Sequence, residues 1–254
     1  MSLIVEELFD YTAQKLRLLN GGTGFSSAWD CSADGTGNPA VVANNLTVSG
    51  VSDGSPSNAS KLYARNAGYG SSTRTTFTRS HTGIPNTVNG AVYWFAMNIA
   101  SNTSKGASIF YFDKLTSDIA GANPQVLLMW TSANADAKVA CNGTTLYTGS
   151  TSYVGHNVVI KITMSGVAAN AVRVDVYCDV DMTTDPAGWT PLVTSTSWYV
   201  PSDITSLNFD CETNATTGGN DQLYMDNIRW ATTSYEAGGE PIPANNNSRF
   251  FLLF

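Results

Sequence analysis

Apolar and polar residues alternate with a period of two in short runs along most of this chain, and no other feature constrains its fold as tightly. The runs include "AVVANNLTVSG", "GAVYWFAMNIA", "SIFYFDKL", "PQVLLMWTS", "HNVVIKITMSG", "NAVRVDVYCDV", "TSLNFDCET" and "DQLYMDNIRWA", with Gly, Asn, Ser, Pro and Asp between them. A period of two sends successive side chains to opposite faces of a strand, and turn residues at such intervals mark antiparallel connections. Only "EELFDYTAQKLRLLN" invites a helix, but its apolar positions form no clean stripe and "NGG" stops it. The pattern predicts an all-β protein, a sandwich of two antiparallel sheets with little helix.

Within "GAVYWFAMNIA" both parities are apolar, Val92, Trp94 and Ala96 against Tyr93, Phe95 and Met97, so this strand is expected to be covered on both faces. "PQVLLMW" reads the same way. In "VRVDVYCDV", Cys178 shares a parity with Val174, Val176 and Val180 and is assigned to a core face; Asp175 and Asp179 share the other parity with Tyr177 and are read, with Asp181, as solvated surface carboxylates. At 254 residues the chain fits one large β domain, expected over residues 1–236. From Ala237 the text "GGEPIPANNNSR" has the composition of an extended linker. It leads to Phe250, Phe251, Leu252, Leu253 and Phe254, an apolar terminus that calls for a cover. Residues 237–254 are therefore expected to be a docking arm that seats on a neighbouring subunit, and the two-sided apolar strands suit self-association, a trimer among the options.

Charged residues make up 13% of the chain, where about 25% is usual, and the formal net charge is −7. With no basic run, the sequence argues against nucleic acid and against an anionic membrane surface as partners. No apolar segment approaches the ~18 residues of a membrane helix. The start, "MSLIVEELFDY", has no basic n-region and does not read as a secretory signal. The four cysteines, Cys31, Cys141, Cys178 and Cys211, contain no C-x-x-C pair, which removes the usual zinc and redox spacings; buried thiols are the first reading and disulfides the alternative.

Each candidate chemistry needs particular residues. A retaining glycosidase requires paired carboxylates on one strand face, and the nearest set, Asp175, Asp179 and Asp181, contains no glutamate. The two histidines, His81 and His156, lie near no G-x-S-x-G elbow and are read as structural. "NGGTGFSS" carries no lysine and opens no helix, so it is not a phosphate loop. "NFDCETNATTGGNDQLYMDN" gathers hard oxygen donors, and Asp210, Glu212, Asp221 and Asp226 are kept as a candidate calcium set, although polar loop chemistry accounts for the same residues. Six N-x-S/T sequons, at Asn45, Asn58, Asn102, Asn142, Asn214 and Asn246, are what an Asn- and Thr-rich chain contains by chance. Among the six tryptophans, Trp189 and Trp198 flank the Pro- and Ser/Thr-rich "GWTPLVTSTSWYVPSD", expected to be a surface connection, and are the candidates for stacking on a sugar.

In order along the chain, "FDYTAQKLRLLNGGTGFSSAWD", "GHNVVIKITMSG", "AVRVDVYCDVDMTTDPAGW" and "DQLYMDNIRWATTSYEA" resemble laminin-G-like or concanavalin-A-like jelly-roll domains of the bacterial and phage type, over about residues 5–236. The resemblance implies two curved antiparallel sheets with the first and last strands paired. That pairing puts "ELFDY" beside "LYMDNIRWA", and the alternation there requires a slip at Asp226 and Asn227. Members of the fold are mostly binding modules, some with calcium, and a minority are glycoside hydrolases. The resulting expectation is a non-catalytic structural protein without a cofactor, a virion component such as a capsid decoration protein or a tail-associated adhesin, contacting other subunits and surface glycans. A secreted glycan-binding module is the alternative, and a glycoside hydrolase ranks behind it.

Overall fold

The computed structural model describes residues 3–9, 11, 14–31, 40–43, 60–65, 74–101, 106–120, 128–131, 136–141, 144–150, 156–182, 184–213 and 222–237. The strands are β1 (Leu3–Glu7), β2 (Gln14–Lys15), β3 (Asp30–Cys31), β4 (Ala40–Ala43), β5 (Ser60–Arg65), β6 (Arg74–Ile84), β7 (Val92–Ser101) and β8 (Gly106–Phe112). They continue with β9 (Leu128–Thr131), β10 (Asp136–Cys141), β11 (Thr144–Ser150), β12 (His156–Thr163), β13 (Val172–Cys178), β14 (Val193–Trp198), β15 (Ile204–Thr213) and β16 (Gln222–Ala231). A 3₁₀ turn at Pro186–Gly188 and the short helix α1 (Ser234–Ala237) complete the described elements.

The strands form two antiparallel sheets. The first, of nine strands, runs β14-β13-β12-β7-β16-β5-β4-β2 with β1 also on β16; the second, of seven, runs β11-β10-β9-β8-β15-β6-β3. This is the expected jelly-roll sandwich, and the first and last strands pair as the resemblance implied, although the segment beside the last strand is Leu3–Glu7 and not "ELFDY", of which only Glu7 takes part. The slip falls where the alternation required it. The register of β16 against β7 shifts between Asp226 and Arg229, with Asn227 at φ 53°. Before the bulge β16 is flanked by β5, at Gln222 to Met225; after it, by β1, at Ile228 to Ala231. One extra residue thus lets a single strand change neighbours while Met225, Ile228 and Trp230 all stay in the core.

The core between the sheets is a chain of aromatic rings. Phe95 of the first sheet stacks on Phe110 of the second at 4.8 Å, Phe110 meets Phe209 at 4.9 Å, Phe209 stacks on Phe77 at 5.2 Å, and Trp29 joins Phe77 to Phe9. As expected, β7 is covered on both sides: Tyr93, Phe95, Met97 and Ile99 face this core, while Trp94 and Ala96 belong to a second cluster on the outer face of the first sheet. At "PQVLLMW" the described residues form β9, Leu128–Thr131, and the side chains there lie outside the described set.

Of the strands that lie outside those alternating runs, two bear on the interior and on the outer face. In "RTTFTRSHTGI", which is β6, the core-facing positions are Phe77, Arg79 and His81, all at most 3% exposed, so polar side chains occupy apolar places. The cost of burying Arg79 is met by Glu7, whose carboxylate is also buried and accepts from Arg79 Nη1, from Tyr11 Oη and Trp29 Nε1 at 3.0 Å each, and from the Phe9 amide at 3.0 Å. Arg79 also donates to Ser27 O and Gly21 O and lies over the Phe25 ring, its Cζ 3.9 Å from the centroid. This network ties the segment after β1 to the second sheet. Gly24, at φ 80°, lets that segment pass so close to β1 that a Cβ would stand 1.8 Å from the Ile4 carbonyl oxygen.

The second of these is β14. "GWTPLVTSTSWYVPSD" was expected to be a surface connection, but Val193–Trp198 pairs with β13 as the edge of the first sheet. On an edge strand the polar Thr and Ser face solvent without an apolar partner parity to set them off. Trp198 is consequently not a surface platform: it is 1% exposed and packs in the main core.

Candidate functional site

Alternation along β7, β12 and β13 places Trp94, Lys161, Asp175 and Tyr177 on the outer face of the first sheet, where Trp94 and Asp175 both lie opposite Lys161 in register. The loop from Asp179 to Leu192 crosses this face. Asn157 clamps its start, donating from Nδ2 to Val180 O at 2.6 Å and accepting from the Val180 amide at 3.1 Å. Asp179, at φ 55°, supplies the change of direction. Asp185 then caps the 3₁₀ turn by accepting from the Ala187 amide at 2.8 Å, which delivers Trp189 onto the sheet.

Three rings form a pad there. Trp94 stacks with Tyr177 at 6.2 Å, and Trp189 meets both edge-on, at 5.9 Å and 5.7 Å. Trp94 and Tyr177 are buried beneath Met182 and Trp189, whereas Trp189 is only half-buried, and its Nε1 donates to Thr184 Oγ1 at 2.9 Å. This outer cluster is not needed to close the sandwich, which has its own core.

Beside the pad, Lys161 Nζ lies 5.0 Å from the Trp94 ring centroid. Asp175 was expected to be a solvated carboxylate but is 1% exposed. Its Oδ1 accepts from Thr194 Oγ1 at 2.6 Å, and both of its oxygens accept from Arg173 Nε, at 2.9 Å and 3.0 Å. Asp175 does point away from the main core, but the outer face is itself covered, so that parity does not mean solvent. The carboxylate holds the exposed Arg173 guanidinium above its ordinary pKa through their hydrogen bond. Burial, and then the Asp175 charge, raises the Tyr177 phenol, which stays protonated at neutral pH.

Toward the other end of the face the outer positions are polar and buried: Asn98, Asn157, Asp226, Asn227 and Arg229 are each at most 2% exposed. Arg229 Nε donates to Glu6 Oε2 at 2.8 Å across the strand pair. The Asn227 amide nitrogen donates to Asp226 Oδ1 at 2.9 Å. Cys178 is a half-buried thiol whose pKa burial and the neighbouring Asp179 push up to about 12, so it is no nucleophile at neutral pH. His81 sits inside the sandwich, 5.4 Å from Trp230, with Nδ1 2.7 Å from the Thr82 carbonyl, and burial lowers its pKa.

Of the residues singled out from the sequence, Trp189 lies on the pad and Trp198 in the core. The candidate calcium ligands are dispersed: Asp226 is buried in β16 of the first sheet, while Asp210 and Glu212 are on β15 of the second. Asp221 and Phe250–Phe254 lie outside the described residues, as does the expected arm from residue 238 on; Ala237, placed at its start, instead ends α1 and is buried in the outer cluster. Among the described residues no group of three or more His, Cys, Asp or Glu side chains has the geometry of a metal site, and no helix is long and apolar enough to cross a membrane. Trp94, Tyr177, Lys161 and Asp175 were missed as site residues. The signal for them was present in the outward parity of Trp94 on a central strand.

Comparison with known proteins gives no matching family model and no matching curated protein. Solved structures do match. A carbohydrate esterase from the Shiga toxin-encoding bacteriophage phi24B superposes with a TM-score of 0.51 at 12% identity, covering 89% of this chain and 98% of its own. A putative beta-glucanase from Mycobacterium abscessus (TM-score 0.49, 12% identity, 90% and 99% covered) and the Emp47p carbohydrate recognition domain (TM-score 0.46, 10% identity, 87% and 94% covered) follow the same plan. The fold is the concanavalin-like, lectin-like jelly roll. At such identities the likeness carries the fold alone.

The match to the phage esterase corrects the expectation that the chain is not an enzyme. That esterase shares the fold across nearly the whole chain. The exclusion rested on a missing glutamate pair and a missing serine elbow, and each of those motifs tests for one reaction only.

Proposed function

We propose that this protein recognises a carbohydrate on the outer face of its first sheet, as a component of a bacteriophage particle. The observation that carries the reading is the second, outer aromatic cluster of Trp94, Tyr177 and Trp189, with Trp189 half-exposed at its rim. An indole face packs on the apolar face of a pyranose, and neighbouring charged and hydroxyl groups fix the ring's orientation. Support from similarity comes from the phage esterase of the same fold, whose name couples a carbohydrate with a phage. In this reading Phe250–Phe254 dock on neighbouring subunits, where many weak contacts act together.

A glycan array probed with the wild-type chain and with Trp189→Ala tests the site. Retention of a defined set of glycans by the wild type, lost in the variant while its melting temperature holds, is the expected outcome. Equal binding by both proteins removes the pad from the function. Incubating the retained glycans with the protein and weighing the products by mass spectrometry then shows whether recognition leads to bond cleavage.

A further inference from the structure

We infer that the carbohydrate bound at the pad is an acidic one, whose carboxylate is met by Lys161; this rests on the pad being a carbohydrate site. The protein carries 20 acidic residues against 13 basic ones, so an accessible cation has many acids to pair with. Two other outer-face cations of the first sheet are paired: Arg173 binds Asp175 and Arg229 binds Glu6. Lys161 differs. It is half-buried on the central strand β12, and its ammonium lies over Trp94 with no carboxylate within ion-pair distance among the described residues.

The nearest acid by register is Asp175, directly across the β12–β13 pair. Its two oxygens are already engaged by Arg173 Nε and Thr194 Oγ1. Contact with the Trp94 ring stabilises an ammonium only modestly and leaves its charge uncompensated. Lys161, Arg173 and Asp175 together leave one positive charge on this part of a protein whose net charge is −7. The loop carboxylates Asp179 and Asp181 follow the end of β13, beside the Asn157 clamp, several residues along the strands from Lys161. A uronate-type residue whose ring rests on Trp189 places its carboxylate within reach of Lys161, where a charge-assisted hydrogen bond forms in partly desolvated surroundings.

The test uses matched oligosaccharides, oligogalacturonate and its fully methyl-esterified, neutral counterpart, alongside an array of neutral hexose oligomers and other carboxylated glycans. Tryptophan fluorescence or array signal reads the binding. The expected result is preference for carboxylated glycans over their neutral esters, about tenfold weaker binding in Lys161→Gln, and a comparable loss in high salt. Binding of neutral glycans as well as or better than their carboxylated partners, or an unchanged affinity in Lys161→Gln, overturns the acidic assignment and leaves carbohydrate recognition standing. Failure of every glycan, acidic or neutral, overturns both.

Discussion

Replacing Glu7 by Gln tests whether the polar network inside the sandwich is an anchor or an incidental contact. The glutamate is 1% exposed, and its two oxygens accept from four donors: the Phe9 amide, Tyr11 Oη, Trp29 Nε1 and Arg79 Nη1. Glutamine keeps the volume but turns one acceptor into a donor, directed at groups that are mostly donors, and leaves the buried Arg79 guanidinium without its counter-charge. Breaking such a pair from one side costs about 3–5 kcal/mol, a large share of the roughly 5–15 kcal/mol that holds a domain folded. Arg79 would not escape to water, because Ser27 O, Gly21 O and the Phe25 ring hold it in place.

Urea unfolding followed by tryptophan fluorescence supplies the stability difference. The loss should be nearly the same in 0.1 M and 1 M salt, since a buried pair is little screened. A cycle with Arg79→Met should return a coupling energy of about 2–3 kcal/mol, with the double variant less impaired than the two single losses added together. A cost below about 1 kcal/mol for Glu7→Gln would show that the interior readily hydrates Arg79, and would refute the view that this ion pair fixes the first strand to the second sheet.

Two further predictions concern backbone geometry and pH. Gly24 and Gly90 both have φ near 75–80°, but a Cβ at Gly24 meets Ile4 O at 1.8 Å while nothing lies within 4 Å at Gly90. Gly90→Ala should therefore cost about 1–2 kcal/mol from the left-handed backbone alone, and Gly24→Ala markedly more, as unfolding midpoints will show; equal costs would contradict the close approach. Burial holds His81 below its ordinary pKa of 6.5 and pushes Tyr11 up to about 12 from 10. The unfolded chain thus takes up a proton at His81 more readily than the folded one, so this stability is present above pH 6.5 and lost as pH falls through it. The folded chain retains the Tyr11 proton longer, so that contribution is present below pH 10 and lost as pH rises toward 12. Urea midpoints against pH should form a plateau between these limits, and in His81→Gln the acid-side decline should weaken.

Period-two alternation by itself determined the all-β class and the two-faced cover of β7. It also located the slip at Asp226 and Asn227, because moving a strand by one residue exchanges its faces and the apolar residues on either side admit only one place for the exchange. Alternation reports that side chains point apart; it does not say what lies beyond each face. Only the tertiary structure decided that Tyr177 is covered by the 179–192 loop and Asp175 engaged by Arg173 and Thr194, or that Trp198 belongs to the core while Trp189, nine residues earlier, stands at a rim. The same holds for Arg79, a core residue only because Glu7 arrives from 72 positions away to compensate its charge. Local pattern fixes direction along a strand, whereas burial and charge compensation are set by segments distant in sequence, and these position the pad, its loop and Lys161 together.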